Sequence, residues 1–209
     1  MRETMKFFNS FLVFLFVTIP VTYAQGSANM FVIEQKDGTK LYMSDEGEIQ
    51  KELFTREQDP QAYCLAENIY FEARNDTTAG QAAVADVVIN RKNDHRYPNT
   101  ICEVVHEGPI RESWKTRADP DLPDEERIYY PVRHRCQFSW YCDGKAEKIN
   151  DQDAWAKAQY IAYQMIYSER FRGITEGSTH YHAHYVSPRW ARKIQFVGSI
   201  ESHKFYRLP

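Results

Sequence analysis

The pattern of apolar and polar positions predicts two long helices in the middle of the chain. Across residues 61–74, apolar side chains recur at i, i+4 and i+7 or i+8, which indicates one buried face of a helix. Residues 79–92 are apolar almost all round, so a second, buried helix is predicted there, with Thr77 or Thr78 as its N-cap. These two segments together predict a helical core.

Shorter patterns surround the two long helices. Thr100 begins a capping box, which predicts the start of a short third helix. Residues 108–135 are rich in charge and proline and predict a long surface loop. A further helix is predicted to begin after Asp151 or Asp153, either of which can cap it, and to end near residue 169.

Strand patterns lie toward the two ends of the chain. Alternating residues predict a strand over residues 179–186, which Pro188 ends, and a last extended segment over residues 204–207. Residues 30–33 and 40–43 flank an Asp-Gly turn and predict a small hairpin. Because helices and strands are segregated rather than alternating, the chain is predicted to be α+β, a helical lobe with a small antiparallel β-sheet.

The first 24 residues have the composition of a secretory signal. Arg2 and Lys6 precede an apolar run over residues 11–17, and small residues follow up to Ala24. The apolar run is too short to span a bilayer comfortably, since a membrane helix needs about 20 residues. Residues 1–24 are therefore predicted to direct export to the periplasm or the cell exterior, with an uncleaved anchor as the alternative.

About 185 residues remain after such a signal, enough for one domain with a core. We expect a hairpin and linker over residues 25–59 and one domain over residues 60–209. The formal charge of −3 becomes −4 without Arg2, Lys6 and Glu3, and no basic patch suited to nucleic acid is present. No other segment is long and apolar enough for a membrane helix, so no membrane contact is expected after signal cleavage, and a monomer is assumed.

The four cysteines are Cys64, Cys102, Cys136 and Cys142. An even number in an exported chain makes disulfides the default, and three pairings are possible. No Cys-x-x-Cys spacing typical of a zinc site occurs. We favour a local Cys136–Cys142 loop and a Cys64–Cys102 link between helical segments.

Glu72 is the candidate catalytic residue. It lies three residues beyond Ile69, at the edge of the buried stripe of the first predicted helix. A carboxyl group held against apolar surface has a raised pKa, which is how a glutamate becomes a general acid near neutral pH. The alternative is a boundary glutamate that pairs with Arg74 or Asn68.

Three histidines form a rival site. His180, His182 and His184 would point to one face of a strand, where they could hold a metal ion and an activated water, as in an amidase or peptidase. Neighbouring histidines of this set lie about 7 Å apart along a straight strand, however, so three such side chains cannot easily close around one small ion. Hydrogen bonding from a cleft wall is the better interpretation, and no metal or cofactor is predicted.

A series of short motifs occurs in order across residues 64–209, namely residues 68–74 (NIYFEAR), 80–85 (GQAAVA), 90–91, 97–101, 137–139 (QFS), 181–182, 186–190 (VSPRW) and 203–206 (HKFY). On these segments the chain resembles the SleB/CwlJ-type cell wall hydrolases, the family of spore-cortex-lytic enzymes. The order and spacing of so many segments make the resemblance specific, whereas any one of them alone would be weak.

The resemblance implies a lysozyme-like catalytic domain that acts on the glycan strands of peptidoglycan, with Glu72 as the acid and base. It also implies substrate contacts for residues in the matching segments. These are Tyr70, Gln81, Gln137, Phe138, Ser139, Tyr181, His182 and Trp190. The chain departs from the family where Phe71 replaces a glycine, which we expect to narrow the cleft, and where Asn75-Asp76 replaces Gly-Glu.

A single dependable carboxyl group favours one reaction, that of a lytic transglycosylase, which cleaves between N-acetylmuramic acid and N-acetylglucosamine and leaves a 1,6-anhydro sugar. Glycosidases that use water need two carboxyl groups, and Asp76 follows Glu72 by four residues at the predicted helix end, where its position is unreliable. Two alternatives stay open. One is the metal-dependent amidase or peptidase, and the other is a catalytically silent wall-binding protein.

Overall fold

The computed structural model describes residues 31–34, 40–43 and 53–209. The predicted secretory signal and most of the predicted linker lie outside the described residues. The strands β1 (Phe31–Glu34) and β2 (Lys40–Met43) pair in antiparallel fashion with Glu34 opposite Lys40, which is the hairpin that the sequence predicts.

Five α-helices lie in the described part of the chain. They are α1 (Pro60–Ala73), α2 (Thr78–Asn93), α3 (Ile101–Val105), α4 (Trp114–Arg117) and α5 (Gln152–Tyr167). The other strands are β3 (Ile110–Glu112), β4 (Tyr129–Pro131), β5 (His180–Ala183), β6 (Gln195–Ile200) and β7 (His203–Arg207). Helices thus precede a small antiparallel sheet, and the α+β prediction is confirmed.

Side-chain caps fix where most of the helices begin. Asp59 accepts a hydrogen bond from the backbone N–H of Ala62 at 3.0 Å and starts α1, with proline in the first helical position. Asp151 caps α5 in the same way. Thr77 occupies the N-cap position of α2, but its hydroxyl donates to Glu201 at 2.9 Å, so the predicted side-chain cap is absent.

The core lies where α1 packs against its neighbours. Leu65, Ile69 and Tyr70 of α1 are buried against Val88 of α2 and Ile161 of α5. Burying each of these larger apolar side chains contributes about 1.5–3 kcal/mol. The Cys64–Cys102 disulfide joins α1 to α3, with 5.2 Å between the two Cα atoms. Neighbouring elements therefore fix helix α1 from several sides. The last turn of this helix carries Glu72.

The three-stranded sheet has the order β5-β7-β6, with β7 in the middle and both pairings antiparallel. Phe205 of β7 packs with Ala83 and Val87 of α2 in a second, smaller apolar cluster, which fastens the sheet to the helical lobe. Strand β5 ends at Ala183, three residues before the predicted end, and the sequence pattern did not predict β6.

Residues 108–135, called the arm below, are more ordered than predicted. Strands β3 and β4 pair with Arg111 opposite Tyr130, and α4 with a 3₁₀ turn at Asp124–Glu126 lies between them. At the base of the arm, the N–H of Val132 donates to the carbonyl of Pro109 at 2.8 Å. The prediction of a loop without regular structure was wrong, although the arm does lie at the surface.

The Cys136–Cys142 disulfide closes a short loop directly after the arm. Both favoured cysteine pairings are therefore present, and none of the four thiols is free. None of the helices formed by the described residues has the length and apolar character that crossing a bilayer requires.

Candidate active site

A cleft of about 360 Å³ lies between the end of α1, the disulfide loop and the sheet. Its volume falls in the range of small-ligand sites, roughly 300–1,000 Å³. The lining residues are Glu72, Arg91, Gln137, Phe138, Ser139, Tyr181, His182, Ala183, Tyr185, Val186 and His203. Among the described residues that line the cleft, Glu72 is the only carboxylic acid.

Glu72 lies in the last turn of α1 with its carboxyl group facing the cleft, and it is half-buried. Burial raises the pKa of this carboxyl above the ordinary glutamate value, while a hydrogen bond from Tyr181 and the charge of Arg91 oppose the rise without cancelling it. The negative end of the helix dipole also disfavours a carboxylate here. The pKa of Glu72 is therefore shifted upward, in the direction that a general acid requires.

Tyr181 of β5 is the hydrogen-bond partner of the acid. Its hydroxyl donates to Oε2 of Glu72 at 3.1 Å. Burial, and then the charge of Glu72, raise the pKa of Tyr181 well above the usual tyrosine range, so the phenol stays neutral and keeps its proton to donate. Its ring packs edge-on against His203, with 5.0 Å between the ring centroids, which fixes the direction of the hydroxyl.

Arg91 was not predicted as a site residue. It is only 5% exposed, its Nε donates to the carbonyl of Thr179 at 2.7 Å, and its guanidinium lies over the ring of Phe138. The buried Nη1 has no hydrogen-bond partner among the residues that the structure describes. Burial lowers the pKa of Arg91, but arginine stays charged, so a desolvated cation lies beside the acid. The adjacent Asn-Arg pair in the matching motif was the one sequence signal for it.

Asp76 is engaged outside the cleft. The hydroxyl of Ser202 donates to both of its carboxylate oxygens, at 3.2 and 3.1 Å, and His203 Nδ1 lies 3.3 Å from Oδ2. Gly80 lies against it so closely that a Cβ there would come within 2.8 Å of the Asp76 Cβ. Asp76 therefore acts as a bridge between the α1–α2 turn and the sheet.

Six of the predicted site residues meet in this one cleft. Gln137, Phe138 and Ser139 line it from the disulfide loop, and Tyr181 and His182 line it from β5. The sixth, Glu72, lines it from the last turn of α1. Phe138 is buried. The chain thus brings together segments that are far apart in sequence, as the predicted substrate groove requires.

Tyr70 does not reach the cleft. It is 1% exposed in the main core, and its hydroxyl accepts hydrogen bonds from the backbone N–H groups of Asn150 and Asp151, at 3.2 and 3.1 Å. Its predicted role in substrate binding is therefore corrected to a structural one, because its hydroxyl holds the segment that begins α5.

Gln81 is also a correction. It is completely buried, and its Nε2 donates to the carbonyls of Arg74 and Asp76, at 3.2 and 3.3 Å. These bonds satisfy backbone groups in the turn between α1 and α2. Trp190, the third predicted contact outside the cleft, packs behind it against His180 and His182, with centroid distances of 5.3 and 5.6 Å.

The neighbours of Glu72 along α1 face elsewhere. Phe71 stacks on Trp140 with 4.8 Å between centroids, so it fills the core and does not narrow the cleft as expected. Asn68 accepts a hydrogen bond from Trp140 at 3.1 Å, and the guanidinium of Arg74 lies over the ring of Tyr70. Neither Asn68 nor Arg74 pairs with Glu72, so the alternative of a boundary ion pair finds no support.

Each of the three histidines of the rival site has its own hydrogen-bond partner, and for Nδ1 of His180 this is the Thr179 hydroxyl at 3.1 Å. His182 uses both ring nitrogens, with Tyr206 and the Ala183 carbonyl each at 2.9 Å. His184 lies beyond the end of β5 and is exposed, 3.2 Å from the Ser202 carbonyl. Across the described ranges, these histidines do not form a group with metal-ligand spacing. Their geometry therefore fits hydrogen bonding in and behind the cleft wall.

Comparison with known proteins identifies the family. The model of the Cell Wall Hydrolase family matches residues 75–206, which carry every cleft residue except Glu72. Two solved structures are similar at 20% identity. One is the catalytic domain of SleB from Bacillus cereus, with 71% of this chain and 91% of that chain covered and a TM-score of 0.46.

The other is the catalytic domain of the germination-specific lytic transglycosylase SleB from Bacillus anthracis, with 72% of this chain and 96% of that chain covered and a TM-score of 0.43. No curated protein matches the chain. Because the family model spans well over half of the sequence, the chain belongs to the Cell Wall Hydrolase family.

Proposed function

We propose that this cell wall hydrolase cleaves the glycan strand of peptidoglycan between N-acetylmuramic acid and N-acetylglucosamine, with Glu72 as both acid and base. The observation that carries the proposal is the environment of Glu72, a half-buried carboxyl group with a raised pKa in a cleft whose other described lining residues include no carboxylic acid. A glutamate in this state can donate a proton near neutral pH.

The first step uses the acid form of Glu72. The carboxyl group donates its proton to the glycosidic oxygen, the bond from that oxygen to C1 of the muramic acid breaks, and positive charge develops on the sugar ring. The hydrogen bond from Tyr181 Oη then stabilises the new carboxylate, because a donor at 3.1 Å favours the charged form.

The second step uses the carboxylate as a base. It takes the proton of the C6 hydroxyl of the same muramic acid, whose oxygen attacks C1 and closes a 1,6-anhydro ring. The hydroxyl is tethered to the reacting sugar, so its attack gains from proximity over that of a free water. Glu72 ends the cycle protonated, which is the lytic transglycosylase reaction.

The position of Asp76 supports this route over hydrolysis. A water-using mechanism needs a second carboxylate, about 5–9.5 Å from the first on either route. Asp76 is occupied by Ser202 and His203 and does not line the cleft. Gln137 and Ser139 are polar and line the cleft, where they can hydrogen-bond to sugar hydroxyl and acetamido groups.

The substrate also fits an exported protein. Peptidoglycan lies outside the cytoplasmic membrane, and the two disulfides form and persist in oxidising compartments. We therefore place the protein in the periplasm or outside the cell, exported by the signal predicted over residues 1–24.

The test is muropeptide release from purified sacculi by the wild-type, Glu72→Gln and Glu67→Gln proteins. Glu67 is a matched control on the same helix, since burial also raises its pKa but it pairs with Arg56 and lies outside the cleft. We expect anhydro-muropeptides from the wild-type and Glu67→Gln proteins and none from Glu72→Gln. Free stem peptides would indicate an amidase, and a folded wild-type protein without products would be a silent wall-binding protein.

A further inference from the structure

The arm exposes aromatic side chains to solvent. In a segment with only a structural role, such rings would be covered by protein. Trp114 is 70% exposed and Tyr130 is 53% exposed. Large apolar groups that are grouped on a surface and remain open to solvent mark binding sites. Together with Arg111 they line a groove of about 420 Å³, comparable in volume to the cleft.

The exposed rings are held in place by an ordered scaffold. Arg127 donates to the Glu112 carboxylate at 2.8 Å and to the carbonyls of Leu122 and Pro120, at 2.8 and 3.2 Å. The N–H of Ser113 donates to the Ile128 carbonyl at 2.7 Å, which aligns the start of α4 with β4. The groove is therefore preorganised, and a ligand need not pay the entropy of ordering it.

The groove also carries positive charge. Arg111, Lys115 and Arg117 line it, while its one acidic lining residue, Glu112, is already paired with Arg127. Arg111 lies directly opposite Tyr130 in the β3–β4 pair, so the cation and the ring share one face. Lys115 Nζ lies 5.8 Å from the centroid of the Trp114 ring. Rings and cations thus line the same groove.

We propose that the arm groove is a second binding site for peptidoglycan, separate from the cleft, in which sugar rings stack on Trp114 and Tyr130 while carboxylates of the stem peptides pair with Arg111, Lys115 and Arg117. This proposal rests on the proposed function for its ligand. A glycan strand that bears acidic peptides matches both features of the groove, whereas a neutral polysaccharide would leave the cations unused and an apolar protein partner would leave them unpaired.

The arm is continuous with the cleft wall. At its base the N–H of Gln137 donates to the carbonyl of Glu107 at 2.9 Å, so the chain leaves and rejoins the domain at one point. The Cys136–Cys142 disulfide then encloses Gln137, Phe138 and Ser139, which line the cleft. A glycan strand bound along the arm would therefore lie on a segment that continues directly into one wall of the cleft.

The test measures binding to insoluble sacculi by cosedimentation of the full-length mature protein, with Glu72→Gln in every sample so that the substrate is not consumed. Adding Trp114→Ala should weaken binding roughly tenfold, as expected for a central aromatic contact. Phe196→Ala is the matched control, since Phe196 is 53% exposed on β6 and lines neither the groove nor the cleft. It should bind as tightly as its parent.

Charge is tested with a second variant and a second substrate. Arg111→Gln combined with Lys115→Gln should weaken binding to sacculi, and the loss should disappear on glycan strands from which the stem peptides have been removed. Equal losses on both substrates would contradict the assigned role of the cations. Native affinity of the Trp114→Ala protein for sacculi, or an equal loss in Phe196→Ala, would overturn the site.

These outcomes are independent of the proposed chemistry. If the wild-type protein releases no muropeptides but binding still depends on Trp114, the proposed function fails and the binding site stands. If the protein cleaves sacculi and Trp114→Ala changes neither binding nor the rate on sacculi, the site fails and the proposed function stands.

Discussion

The cleft and the arm use aromatic side chains in opposite ways. In the cleft, Phe138 is covered by protein, and Tyr181 directs its hydroxyl onto the carboxyl group of Glu72. In the arm, Trp114 and Tyr130 face solvent beside cations. In the cleft, burial raises the pKa of Glu72 against the opposing effect of the Tyr181 hydrogen bond, whereas the arm keeps apolar surface open for a ligand.

This difference predicts that the cleavage rate and the retention of the protein on its substrate can be changed separately. Substitution of Glu72 in the cleft should change the chemical step, because Glu72 is the proposed acid and base. Substitutions in the arm should change how long the protein stays on an insoluble substrate and leave the cleft intact.

The largest effect is expected from a pair of substitutions with opposite consequences. Glu72→Gln should lower the cleavage rate by roughly 10²–10⁴-fold, the usual contribution of general acid–base catalysis, while binding to sacculi is preserved. Trp114→Ala should preserve cleavage of short soluble muropeptides and slow cleavage of sacculi only. Rates on both substrates, together with cosedimentation, check the pair. If both variants lost binding and cleavage rate in parallel, the proposed separation between the cleft and the arm would be contradicted.

The two disulfides are expected to contribute unequally to the free energy of unfolding. Replacing Cys64 and Cys102 by serine should lower the free energy of unfolding by about 4 kcal/mol, because that bridge closes a loop across a sequence separation of 38. Replacing Cys136 and Cys142 should cost about 2 kcal/mol for a separation of 6. Denaturant unfolding measures both values, and a larger loss for the short loop would contradict the ranking.

A smaller effect is expected in the pH profile of Tyr181→Phe. The proposed mechanism needs protonated Glu72, so the rate should fall as pH rises through the pKa of that carboxyl. The Tyr181 hydrogen bond lowers this pKa, and its loss should move the alkaline limb of kcat/KM to higher pH. Tyr206→Phe is the control, because its hydroxyl contacts His182 and not Glu72. If the alkaline limb of kcat/KM stayed at the same pH in Tyr181→Phe, Tyr181 would have no influence on the pKa of Glu72.

The smallest effect concerns folding stability. The pKa of Glu72 is raised in the folded protein, so its charged form destabilises the fold, and stability is lost as pH rises through the folded pKa. Glu72→Gln should therefore be more stable than the wild type at pH 7, with the difference vanishing below pH about 4, where the unfolded glutamate is also protonated. Urea midpoints at the two pH values check this, and a wild-type advantage at pH 7 would contradict it.

The helical lobe and part of the cleft could be predicted from the sequence. The 3.6-residue period and side-chain caps mark α1 and α5, and Glu72 stands at the edge of a buried face. Local signals suffice there because each helix shows its buried side in its own sequence. The segments that face Glu72 were found from the order of matching motifs, since no local pattern brings Gln137 to Tyr181.

The arm and β6 could not be predicted for physical reasons. In the arm, strands of three residues show too little alternation, and the fold depends on bonds from the Arg127 side chain to backbone carbonyls. In β6, the register shifts between Phe196 and Gly198, which breaks the two-residue period. The predicted substrate contact of Tyr70 was wrong, because the position of a residue in a motif does not reveal which side of its helix the rest of the chain covers.

The most direct test of the central claim is digestion of sacculi in ¹⁸O-labelled water, followed by mass spectrometry of the released muropeptides. Because Glu72 has no second carboxylate beside it in the described lining of the cleft to activate a water, the attacking oxygen should be the C6 hydroxyl of the substrate. The account predicts unlabelled 1,6-anhydro products, each lighter by one water than its hydrolysis counterpart. Reducing ends that carry ¹⁸O would contradict it.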